Sequence, residues 1–103
     1  MELQIRWGKL DKSDALGRHV NEQVDHALRH CKERFTRVDV HLHDSNQDKG
    51  GSDDKRCVIE ARPRGADPLA IEATGDDFFK TVVAAAKKLE HAAEHFVDRR
   101  RNH

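Results

Sequence analysis

GDDFFKTVVAAAKKLEHAAEHFVDRRR, residues 75–101, is the run that decides the fold. Phe79, Val82, Val83, Ala86, Leu89, Ala93 and Phe96 recur at steps of three and four, which predicts one long amphipathic helix. The opposite side carries Lys80, Lys87, Lys88, His91, His95 and Arg99. Gly75 breaks whatever comes before, and Asp76 or Asp77 suits the positive end of the helix dipole. A helix with one apolar stripe has to lay that stripe on a partner surface.

Strand-like runs upstream supply the surface. Leu69, Ile71 and Ala73 alternate with Ala70, Glu72 and Thr74, with Pro68 at the tolerated first position. Cys57, Ile59 and Ala61 alternate with Arg56, Val58, Glu60 and Arg62, and Pro63 ends that run. Val38, Val40 and Leu42 face one way while Arg37, Asp39, His41 and His43 face the other, with Arg34 to Thr36 read as the turn leading in. At the start, Leu3, Ile5 and Trp7 alternate with Glu2, Gln4 and Arg6 up to Gly8. Between the first two runs, Leu16, Val20, Val24, Ala27, Leu28 and Cys31 predict a helix from about Ser13 to Glu33, capped by Ser13 or Asp11.

The order is therefore β-α-β-β-β-α, an α+β fold. The first helix is long enough to cross over and leave the first two strands parallel. Short links then give an antiparallel meander. Each helix has one apolar stripe and each strand one apolar face, so both helices are expected on one face of a four-stranded sheet. The whole of 1–103 reads as one domain. The far sheet face would be open and charged.

Composition narrows the function. The chain is 36% hydrophobic and 37% charged, and Lys plus Arg and Asp plus Glu each total 19, so the formal net charge is zero. A basic patch must come from segregation of charge, not from surplus. Eight histidines could add positive charge towards their ordinary pKa of about 6.5. Cys31 and Cys57 sit on apolar faces and read as buried free thiols. Neither a signal-type apolar run nor a span of about 20 apolar residues is seen, so the expected setting is cytoplasmic, with no membrane partner.

Motifs for chemistry are missing. There is no phosphate-binding Gly-rich loop, no Gly-x-Ser-x-Gly and no Cys-x-x-Cys, so no enzyme, cofactor or small-molecule substrate is expected. Asp44-Ser45-Asn46-Gln47-Asp48-Lys49-Gly50 departs from a calcium loop at Lys49 and Lys55, and reads as a polar hairpin loop. His26 with His30, His41 with His43, and His91 with His95 each lack a third ligand at metal-site spacing, so no metal is assigned.

The basic side chains are the stronger lead. Lys80, Lys87, Lys88 and Arg99, extended by Arg100 and Arg101, lie on the outward side of the last helix. Arg18, Arg29 and Lys32 lie on that of the first. Two such helices side by side would make a cationic stripe for a phosphate backbone, balanced by Glu22, Asp25, Glu33, Glu90, Glu94 and Asp98.

Several short runs carry a family resemblance over nearly the whole chain. They are Ala15-Leu16, Arg37-Val38-Asp39-Val40-His41-Leu42, Lys55-Arg56-Cys57-Val58-Ile59-Glu60-Ala61, and Asp76-Asp77-Phe78-Phe79 ahead of Lys88-Leu89. In these the chain resembles the short form of the ribosome hibernation-promoting factor and ribosome-associated inhibitor A family, also called sigma-factor modulation proteins. The resemblance implies a fold like that of double-stranded RNA-binding domains. It further implies a stress-response translation inhibitor that binds ribosomal RNA phosphates in the small-subunit decoding channel. Lys80, Lys87, Lys88, His91, His95, Arg99, Arg100, Arg101, Arg18 and Arg29 are then the expected RNA contacts. The runner-up is a protein-interaction module of the same fold, self-associating weakly through the open sheet face. A third reading takes the histidine pairs as metal or pH responders.

Overall fold

The computed structural model describes residues 1–45 and 54–101, and within helix α2 it leaves the side chains of Arg100 and Arg101 aside. The elements are β1 (Glu2–Arg6), α1 (Asp14–Ala27), a short 3-10 turn (Lys32–Arg34), β2 (Phe35–Asp44), β3 (Lys55–Pro63), β4 (Leu69–Gly75) and α2 (Phe78–Arg101). The four strands lie in chain order, β1-β2-β3-β4. β1 runs parallel to β2, and the other two pairings are antiparallel. The expected β-α-β-β-β-α order is what the structure shows. The calcium-like segment falls mostly on residues 46–53, outside the described ones.

Register explains the single apolar face. Leu3 pairs with Val38 and Ile5 with Val40. Val38, Val40 and Leu42 pair with Ala61, Ile59 and Cys57, which pair in turn with Leu69, Ile71 and Ala73. These rows stand under both helices. Val20, Val24 and Leu28 from one helix segment and Val82, Ala85 and Leu89 from the other are fully buried against them. Each large aliphatic side chain sealed in this way contributes about 1.5–3 kcal/mol relative to exposure.

Three local features differ from the sequence expectation, each for a physical reason. α1 stops at Ala27, not near Glu33. The chain then tightens into three-residue turns, with Cys31 N–H donating to Leu28 O at 3.0 Å and Arg34 N–H to Cys31 O at 2.9 Å. Leu28 and Cys31 still reach the core from those turns.

Phe35 was expected in a turn but opens β2 and is fully buried. A bulge between Phe35 and Arg37 leaves both Thr36 and Arg37 off the core side. Counting back from Val38 by twos therefore gives the wrong face to Phe35. Its ring meets Phe96 of α2 with centroids 6.1 Å apart.

The apolar stripe of α2 is also rotated from its expected position. Thr81 and Ala85 are buried, whereas Phe79 is 44% exposed. Thr81 Oγ1 donates to Asp77 O at 2.7 Å and so has no unmet polar need inside. A Cβ at Gly75 would stand 2.5 Å from that oxygen, which is why the strand-to-helix turn takes glycine. Asp77 Oδ1 accepts from Lys80 N–H at 3.1 Å and caps the helix, as Ser13 Oγ caps α1 by accepting from Leu16 N–H at 3.2 Å.

Candidate nucleic-acid interface on the helical face

Burial of Leu16, Val20, Val24 and Ala27 fixes the roll of α1 and turns Arg18, Glu22 and Asp25 to solvent. Burial of Val82, Leu89 and Ala93 does the same for α2 and exposes Lys80, Lys87, His91, Glu94 and Asp98. Between the helices runs a shallow groove lined by Gln23, His26, Val83, Lys87 and Glu90. Arg29, just past the end of α1, reaches across to α2, with NH1 3.0 Å from Glu90 Oε2. The same nitrogen donates to His26 O at 2.7 Å.

The basic residues expected to act together fall into two groups. Arg18, Arg29, Lys80, Lys87 and His91 border the outer surface of the helix pair. Lys88, His95 and Arg99 lie on the flank of α2 nearer β4. Lys88 Nζ donates to Glu72 O of β4 at 2.8 Å, which ties it to the sheet edge. His95 and Arg99 line a cleft with Asp67, Leu69 and Phe96. Arg100 and Arg101 belong to the last turn of α2, and their side chains lie outside the described residues.

Charge on the helical side is mixed. Arg29 is paired with Glu90, and Lys32 with Asp25. Arg18, Lys80, Lys87 and Arg99 have no ion pair among the described residues, but Glu22, Glu94 and Asp98 stand exposed between them. The expected cationic stripe is therefore interrupted. Among the described residues, five imidazoles also occupy this side, those of His19, His26, His30, His91 and His95.

The open sheet face carries fewer charges and ties most of them down. Arg37 Nε and NH2 donate to Asp39 at 3.0 and 3.1 Å, and NH2 also donates to Gln4 Oε1 at 2.7 Å. Arg6 NH2 lies 3.6 Å from the same carboxylate. Asp39 is only 4% exposed, and the hydrogen bond from Arg37 holds its carboxyl below the usual carboxylate range. Arg56 grips Glu72 with two bonds of 2.8 and 3.0 Å, which lowers that carboxyl too and raises the guanidinium. His41 Nε2 lies 3.3 Å from Glu60 Oε1. Val58 and Ala70 are the apolar residues among them.

Nothing at either cysteine suggests chemistry. Burial raises the Cys31 thiol and pushes Cys57 up to about 12, so both stay protonated at neutral pH. No group of three metal-type ligands forms among the described residues, and none of their helices is long and apolar enough to cross a membrane. Sequence periodicity missed the exposure of Phe79 and the contact of His19 with it. Both follow from the rotation of α2, which the buried Thr81 sets and which apolar spacing alone conceals.

Comparison with known proteins agrees with this architecture. The family described as sigma 54 modulation protein / S30EA ribosomal protein matches residues 3–101. Among solved structures, a ribosomal subunit interface protein from Coxiella burnetii superposes with a TM-score of 0.79 at 20% identity, covering 95% of this chain and 99% of the other. The N-terminal domain of Thermus thermophilus Protein Y gives 0.73 at 18% identity, covering 93% and 99%. At these identities the two structures speak for the fold. No curated protein matches by sequence.

Proposed function

The chain belongs to the sigma 54 modulation protein / S30EA ribosomal protein family, and from that premise we propose that it is a ribosome-associated hibernation factor that silences translation by occupancy. In this reading the protein binds the small subunit in its decoding channel. The helical face meets ribosomal RNA, and exposed cations contact phosphates in a shape-read interface. No bond is made or broken and no cofactor is used. The setting is the cytoplasm, where ribosomes work.

The observation that carries the assignment to the helical side is the pairing state of the cations. Arg18, Lys80 and Lys87 are exposed and have no ion pair among the described residues, so phosphates can engage them without first displacing a carboxylate. On the sheet face, Arg6, Arg37 and Arg56 are already held by Asp39 and Glu72. Lys88, His95 and Arg99 contribute from the β4 flank, and Arg100 and Arg101 from the helix end.

Co-sedimentation with purified small subunits tests the reading. The wild-type chain should travel with the subunit at low salt and leave it as salt rises, because counterion release dominates such binding. Lys80→Glu with Lys87→Glu should abolish retention. Undiminished retention of that double variant would overturn the placement of the interface. Self-association through the open sheet face has weaker support, since Val58 and Ala70 are its apolar content; a salt-insensitive dimer in light scattering would favour it.

A further inference from the structure

Phe79 is the aromatic side chain that the fold leaves uncovered. At 44% exposure it shares this state only with Met1 among the large apolar residues described. The ring is nonetheless held in place. His19 of α1 lies against it with ring centroids 5.0 Å apart and planes tilted by 45°. His19 Nε2 also lies 2.9 Å from Phe79 O. A carbonyl oxygen can only accept, so Nε2 carries the proton in that bond. Nδ1 has no hydrogen-bond partner among the described residues, and in the neutral ring it is an acceptor.

Each ring residue has an exposed cation as its chain neighbour, Arg18 before His19 and Lys80 after Phe79. The start of α2 is not itself an anion site, since Asp77 already fills it by accepting from Lys80 N–H. A protein anchor would need an apolar surround that excludes water from the ring. Here the chain neighbours Arg18 and Lys80 are exposed cations, which suits a flat π-face with phosphates on either side.

We propose that Phe79 and His19 form a shelf on which one unpaired base of RNA stacks, with Arg18 and Lys80 set for the flanking phosphates. The inference rests on the RNA-binding reading above and deepens it. It adds a preference for a splayed, single-stranded nucleotide to an interface otherwise governed by charge.

The test uses the full chain and a short single-stranded RNA carrying one fluorescent aminopurine, beside a duplex of the same length. Binding of wild type should change the aminopurine fluorescence through stacking. Phe79→Leu keeps apolar volume at a half-exposed site, so the fold is retained. It should lose the fluorescence change and weaken single-strand binding on the order of tenfold, leaving duplex binding unaltered. Phe79→Trp should restore both. Wild-type behaviour of Phe79→Leu on the single strand overturns the shelf. So does a wild-type dimer in light scattering that Phe79→Leu abolishes, because the ring would then serve a second copy. Small subunits in a parallel co-sedimentation keep the two ideas apart. A Phe79-dependent signal on RNA with no subunit retention supports the shelf and sinks the ribosomal assignment. Retention unaffected by Phe79→Leu, with no stacking signal, does the reverse.

Discussion

The two broad faces of this molecule carry similar charged residues and use them in opposite ways. On the open sheet face, Arg56 lies diagonal to Glu72 across β3 and β4, Arg6 lies diagonal to Asp39 across β1 and β2, and Arg37 precedes Asp39 by two along β2, so cations and carboxylates bond to one another. On the helical face, Arg18, Lys80 and Lys87 point outward from cylinders whose roll is fixed by the core, and no carboxylate of the described residues pairs with them. Pairing is a property of geometry, not composition. On a strand pair the diagonal and i, i+2 neighbours of one face stay within about 7–8 Å, in reach of a long arginine, and here those positions hold carboxylates. A neutral chain can thus keep most of the described cations of one face engaged, Arg62 excepted, and leave those of the other receptive.

Replacing Asp39 by Asn is the strongest way to break this contrast. Two guanidiniums would lose their shared carboxylate at a nearly buried position. The expected cost is about 1–3 kcal/mol in chemical denaturation, with small-subunit retention within about twofold of wild type. Loss of retention at unchanged stability would show that the sheet face binds after all.

Acid should reveal the same group. Asp39 and Glu72 titrate below their ordinary values of 3.8 and 4.5 because Arg37 and Arg56 hydrogen-bond their ionised forms. As pH falls the unfolded chain therefore takes up these protons first. Their contribution to stability is complete above the ordinary values and is lost as pH drops through the lower native ones. A thermal-unfolding series from about pH 5 to 2 should decline, and Asp39→Asn should decline less steeply.

Smaller effects sharpen the other side. Lys80→Gln and Lys87→Gln should each lower the salt slope of subunit binding by about one, with a change in unfolding free energy within about 0.5 kcal/mol. Arg56→Gln, on the opposite face, should leave the slope as it was. Smallest is Glu90→Gln, which releases Arg29 from its 3.0 Å pair. Subunit binding should tighten by about two- to threefold, while stability falls by no more than about 1 kcal/mol.

Much of the fold was readable in the chain because two periods alternate cleanly. The rows Leu3, Val38, Ala61 and Leu69, and Ile5, Val40, Ile59 and Ile71, obey the strand period, and Val82, Leu89 and Ala93 obey the helical one. What periodicity missed lies where something other than apolarity sets the geometry. Phe35 precedes a bulge, and Phe79 is turned out by a threonine that buries its hydroxyl against the preceding turn. The expected contacts were legible as residue types but not as a group. Whether Lys88 faces the outer surface or the sheet edge depends on a bond to a β4 carbonyl, which no spacing announces.

The bulge at the start of β2 bears on how the chain can vary in length. Thr36 and Arg37 both stay off the core side there, so one of the two is surplus to the alternation. Deleting Thr36 would leave Phe35 inward, still opposite Pro63, and shift no buried residue downstream. A one-residue insertion or deletion elsewhere in the strand would invert every position beyond it. This is the point in β2 where related chains can gain or drop a residue while their interiors remain superimposable.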